Sequence, residues 1–141
     1  MQKYIISKKY HFYAGHRNEN LKDKCYNLHG HTYYVTMDFS FDYDDETGIT
    51  FLFSGIDKLV KPIIKTLDHS MLIHKYDPLL KYLHLFMTEE DVELKLLQMN
   101  SVTSAENLTK YIFDKVHKLL PITKITLQET TSSIVTYEPS N

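Results

Sequence analysis

His29 and His31 stand at i and i+2 around Gly30. In an extended strand that spacing sends both imidazoles to one face, with Cα atoms about 7 Å apart. Two imidazoles so placed can converge on one metal ion, and a third ligand must come from elsewhere. His16 is the natural candidate, because it closes the run Phe12-Tyr13-Ala14-Gly15-His16 at the end of an extended segment. Three imidazoles with no second cysteine suit a catalytic zinc site that keeps an open position, since a structural site usually takes four protein ligands. Strand histidines that hold no metal are the alternative reading. The chain has eight histidines; His11, His74, His84 and His117 read as surface or partly buried residues without a role.

Cys25, the only cysteine, lies four residues before His29. Near a metal or a protonated imidazole its thiol would ionise readily and act as thiolate nucleophile or base; otherwise it is a small buried hydrophobe. Asp68 and His69 are adjacent. An Asp does not simply hydrogen-bond to its neighbour's ring, yet a turn after a helix can aim both into one pocket. Glu129 falls at the end of a predicted strand, where it is either a solvated loop carboxylate or the acceptor of two donors from a heterocycle's amidine edge.

The elements that must position these groups are partly visible. From Thr32 to Tyr43, apolar Tyr33, Val35, Met37, Phe39 and Phe41 alternate with polar or half-polar residues, which predicts a long half-buried strand. An earlier strand covers Lys3 to about Ala14. Asp44 to Gly48 read as a turn, with Ile49–Phe53 as the returning strand of a hairpin. Helical spacing follows at Ile56, Leu59, Val60, Ile63, Ile64 and Leu67, with Pro62 predicting a kink or a late start. A second helix opens at Ser104 with Glu106-Asn107 and runs through Leu108, Tyr111, Ile112 and Val116 to a stop at Pro121. Pro78–Leu83 reads as a short helix. Val92–Met99, Thr123–Gln128 and Ser133–Tyr137 read as strands. Hairpins at both ends argue an α+β fold, with an antiparallel sheet and helices on one face.

The chain has 141 residues, 43% hydrophobic and 13% aromatic, with a formal net charge of −2. That predicts one domain over residues 1–141 with a real core. Nothing in the charge favours nucleic acid or an anionic membrane as partner. No apolar run of about 18 residues exists, and the N-terminus returns to charge too soon for a signal peptide. With a single cysteine and hence no intrachain disulfide, a cytoplasmic location is expected.

Five segments, in order and nearly spanning the chain, together resemble the 6-pyruvoyl-tetrahydropterin synthase superfamily: FYAGH (12–16), CYNLHGHTY (25–33), LDHSML (67–72), TSAENL (103–108) and QETTSSIVTY (128–137). The resemblance implies the tunnelling fold, a four-stranded antiparallel sheet with two helices on one face, assembled as a homohexamer of two stacked trimers with active sites between subunits. It implies His16, His29 and His31 as ligands of one zinc ion per subunit and Cys25 as the proton-abstracting thiolate. Asp68 and His69 would complete the acid–base relay, Glu129 would anchor the pterin and join the catalytic set, and Glu106 would contact substrate. The implied substrate is 7,8-dihydroneopterin triphosphate. Because Arg17 is the only arginine, its triphosphate would fall largely to lysines.

Within the superfamily, three residues (Tyr26-Asn27-Leu28) separate Cys25 from His29. This resembles the bacterial-type 6-carboxytetrahydropterin synthases of 7-deazaguanine (queuosine) synthesis, which also cleave the side chain. Pyruvoyl-type enzymes, which eliminate triphosphate without carbon–carbon cleavage, carry a longer insertion there. An inactive pterin-binding relative is the third reading.

Overall fold

The computed structural model describes residues 2–140. Its spine is an antiparallel pair of fourteen-residue strands, β1 (Lys3–His16) and β2 (His29–Asp42). Their register is unbroken, from Lys3 opposite Asp42 to His16 opposite His29. Directly opposed residues share a face of the sheet. Phe12 therefore lies beside Tyr33, Ala14 beside His31 and His16 beside His29, all on the face that is buried farther along. Tyr13 and Tyr34, one residue out of phase, face away and are about half exposed. One register thus delivers all three candidate ligands to the same end of the same face.

Four shorter strands widen the sheet. β5 (Ile122–Gln128) runs antiparallel to β2 and carries β6 (Ile134–Tyr137) on its far side. On the other flank β3 (Ser70–His74) lies parallel to β1, and β4 (Leu96–Met99) parallel to β3, giving the order β4-β3-β1-β2-β5-β6. Two helices, α1 (Phe53–Leu67) and α3 (Ala105–His117), cover the buried face. Ile56, Val60, Ile64 and Leu67 of α1 and Leu108, Ile112, Phe113 and Val116 of α3 join the sheet in one apolar cluster. Each such side chain, fully buried, contributes roughly 1.5–3 kcal/mol. A third helix, α2 (Leu79–Glu90), buries none of its residues. Among the described residues no helix is long and apolar enough to cross a membrane.

The α+β class and the helix-covered sheet match the expectation, with differences that have physical causes. The sheet has six strands rather than four, and β3 and β4 join in parallel. Ile49–Phe53 is no strand: a single bridge pairs Asp44 with Ile49, and Phe53 already opens α1. Phe51 instead lies flat on Phe41, with ring centroids 4.7 Å apart, and a Cβ on Gly55 would come within 2.8 Å of its ring. α1 runs through Pro62, which sits on the exposed side together with Lys58, so the carbonyl its missing N–H leaves free faces water. β4 is shorter than Val92–Met99 because the Val92 N–H bonds back to the Met87 carbonyl and closes α2.

Candidate metal centre and acid–base site

The three imidazoles meet where β1 ends and β2 begins. One candidate ligand atom from each of His16, His29 and His31 lies within 4.8 Å of the other two. Backbone carbonyls aim two of the rings. The Thr103 carbonyl, just before α3, lies 2.8 Å from Nδ1 of His16, and the Asn27 carbonyl lies 2.8 Å from Nδ1 of His29. A carbonyl can only accept, so each Nδ1 carries the proton and each Nε2 presents a lone pair, the tautomer a metal ligand needs. Nε2 of His16 and of His31 are buried, with no well-directed hydrogen bond and only the Glu129 carboxylate within reach. A divalent cation is the group that satisfies several converging lone pairs and a neighbouring carboxylate at once. The residues present fit a metal of the zinc type.

Glu129, at the exit of β5, reaches the same point. Its Oε1 lies 2.9 Å from Nε2 of His31 and 3.4 Å from Nε2 of His16. Contact with His16 chiefly, then the charges of the neighbouring histidines, holds its carboxyl below the usual range despite burial. Burial pushes His31 down and outweighs the pull of Glu129, so its ring favours the neutral, metal-binding form.

Asp68 and His69 form a real dyad. His69 Nδ1 lies 2.9 Å from Asp68 Oδ2, a direct bond that adjacency in sequence was expected to prevent. The bond is possible because His69 adopts a left-handed backbone conformation, with φ of 59°. The dyad is tied to β1: Tyr13 N–H donates to Asp68 Oδ1 at 2.9 Å, and His69 N–H donates to the Tyr13 carbonyl at 2.6 Å. The Tyr13 amide bond, followed by the His69 bond, keeps the Asp68 carboxyl below its usual range. The His69 ring is largely exposed and stands edge-on to Tyr13, on the outward side of the sheet. An open cleft of about 640 Å³ connects the two groups, lined by Leu28, His29, His31 and Thr32 on one side and by His69 and Met71 on the other.

Cys25 is half-buried in a short 3-10 turn, Lys24–Tyr26, whose Cys25 N–H donates to Asp23 Oδ1 at 2.8 Å. Its sulfur is not a member of the three-imidazole cluster. Glu106 is exposed in the first turn of α3, and among the described residues no hydrogen bond or ion pair links it to the imidazoles. Thr103 and Asn27 were missed by sequence reasoning. They act through carbonyl oxygens, which every residue type has. The buried ion pair between Arg17 and Asp77 was also missed, since the two stand 60 positions apart.

A curled, helix-covered sheet with three metal-ready imidazoles at one strand end defines a tunnelling-fold protein with a candidate metal site. The chain matches the family described as 6-pyruvoyl tetrahydropterin synthase over residues 5–140, and it belongs to that family. The 6-carboxy-5,6,7,8-tetrahydropterin synthase of Aquifex aeolicus is 29% identical, over 96% of this chain and 98% of its own length. The 6-pyruvoyl tetrahydrobiopterin synthase of Pongo abelii is also 29% identical, over 94% of this chain and 90% of its own. Among solved structures, that of Caenorhabditis elegans 6-pyruvoyl tetrahydropterin synthase superposes with a TM-score of 0.71 at 24% identity, covering 99% of this chain and 98% of that one.

Proposed function

We propose that this chain is a zinc-dependent carbon–carbon lyase of the 6-carboxy-5,6,7,8-tetrahydropterin synthase type. It converts 7,8-dihydroneopterin triphosphate and one water to 6-carboxytetrahydropterin, acetaldehyde and triphosphate, on the route to 7-deazaguanine. The observation that carries the reading is the convergence of three imidazoles on one point, one of them, His29, four residues beyond the only thiol. The spacing from Cys25 to His29 favours the carboxy product over the pyruvoyl one, and the Aquifex relative agrees with it, although a pyruvoyl-type relative is equally identical.

His16, His29 and His31 hold the ion. When bound, zinc supplies Lewis acidity to the hydroxyls of the substrate side chain. Cys25, as thiolate, takes a carbon-bound proton. Asp68 fixes the proton of His69 on Nδ1, which leaves Nε2 free to exchange a proton with substrate. Glu129 offers the carboxylate for the amino and ring N–H edge of the pterin, and Glu106 is the second, more distant substrate carboxylate. Because His69 faces outward on its own subunit, the reading includes a homohexamer in which subunit contacts complete the site, in a cytoplasmic protein.

Incubating the zinc-loaded protein with 7,8-dihydroneopterin triphosphate and identifying products by mass spectrometry tests this. Acetaldehyde with 6-carboxytetrahydropterin is expected. A 6-pyruvoyl product would keep the site and overturn the carboxy assignment, whereas binding without turnover would leave a pterin-binding relative.

A further inference from the structure

Arg17 follows a metal ligand and is the chain's only arginine, which makes it the obvious residue for a phosphate. One edge of its guanidinium is already taken. Nε donates to Asp77 Oδ2 at 2.8 Å and Nη2 to Asp77 Oδ1 at 2.5 Å, and the Asp77 side chain is only 1% exposed. Asp77 is itself fixed in the connection between β3 and α2, where its N–H donates to the His74 carbonyl and its Oδ1 accepts from Leu79 N–H. Burial pushes the Asp77 carboxyl up, but the bonds from Arg17 and Leu79 outweigh it and hold the group ionised.

Two chains of contact leave this pair. Through the backbone, the Arg17 carbonyl accepts from Thr103 Oγ1 at 3.0 Å, and the Thr103 carbonyl holds Nδ1 of His16. Through the side chain, the guanidinium lies over the Tyr26 ring, 4.6 Å from its centroid, and Tyr26 adjoins Cys25. Asn18 N–H donates to the Cys25 carbonyl at 2.8 Å. A second tie runs in parallel, from Glu19 Oε1 to His74 Nδ1 at 2.5 Å, in the same β3–α2 region. The start of the segment 17–28 is therefore pinned to the end of β3 and the β3–α2 connection by two polar pairs, Arg17–Asp77 and Glu19–His74.

We propose that the Arg17–Asp77 pair is a positioning device that locks the Cys25-bearing segment, which leaves β1 directly after His16, onto the β3–α2 connection, so setting where the thiol stands relative to the imidazoles. This rests on the function proposed above. Arg17 is then a brace.

Asp77→Asn and Arg17→Lys in the zinc-loaded protein test it, with Asp57→Asn as control. Asp57 pairs with Lys8 and Tyr10 away from the segment, so its loss lowers Tm alone. Misplacing a reacting group by about 1 Å costs on the order of 100-fold, and loss of a supporting shell about 10–100-fold. Asp77→Asn is expected to lower kcat by about that range with KM nearly unchanged, and to change the rate at which iodoacetamide alkylates Cys25. Arg17→Lys, which keeps the charge and loses the fork, should fall between it and wild type. A folded Asp77→Asn with wild-type kcat and alkylation rate overturns the proposal, as does failure of both variants to fold, which would make the pair a core stabiliser. If wild type itself shows no turnover, the functional reading fails, and the alkylation rates still decide the brace.

Discussion

At the scale of single residues, the site divides into groups whose chemistry is plain from their type and groups that act through the backbone. His29 and His31 were legible because a two-residue spacing in a strand has one geometric meaning. Thr103 and Asn27 were not, since a carbonyl leaves no mark on the sequence, and the direct bond between Asp68 and His69 depends on a left-handed φ that histidine seldom adopts. Cys25→Ala should lower turnover by about 10²–10⁴-fold, the usual worth of a positioned proton acceptor. Zinc content should stay unchanged, because the sulfur is outside the imidazole cluster; steady-state kinetics with metal analysis checks both. His31 contributes to the pH dependence of metal uptake. Burial lowers its folded pKa below the ordinary value of about 6.5. Uptake should therefore persist through that pH and weaken only in more acid solution, as protons compete for the lone pairs. A zinc titration from pH 8 to 5 reads this directly, and a loss already complete above 6.5 would contradict it.

At the scale of elements, α3 matters to the candidate metal site through its start. Ser104 caps it by accepting the Asn107 N–H at 3.2 Å, and the residue before the cap supplies the carbonyl that aims His16. Ser104→Ala should cost about 1 kcal/mol of stability, read in urea unfolding as a lower midpoint with an unchanged slope. The long alternation in β2 and the apolar stripes of α1 and α3 were readable because each element buries one face against the same core. β3 was not, since Leu72 and Ile73 are both fully buried and a strand covered on both faces shows no alternation. The length of α2 was hidden for the opposite reason: it buries nothing, so no stripe marks it.

At the scale of the whole molecule, the two ends of the β1–β2 ladder differ. One carries the imidazoles. At the other, Tyr4, Ile5, Ile49, Leu52 and Phe53 are each 45–63% exposed around a hollow of about 490 Å³. Tyr82, Leu85 and Phe86 add an uncovered apolar face on α2. Surfaces of this kind mark association, which supports the proposed homohexamer. Light scattering should return the mass of six 16.7 kDa chains, about 100 kDa, and a monomer mass would contradict it. The proposed chemistry rests on the three imidazoles. The most direct measurement is zinc per subunit after chelator stripping and reconstitution, in wild type and in His31→Ala with its fold verified by circular dichroism. One zinc in wild type and far less than one in the variant is predicted; equal zinc in both would mean that the ligand set is wrong.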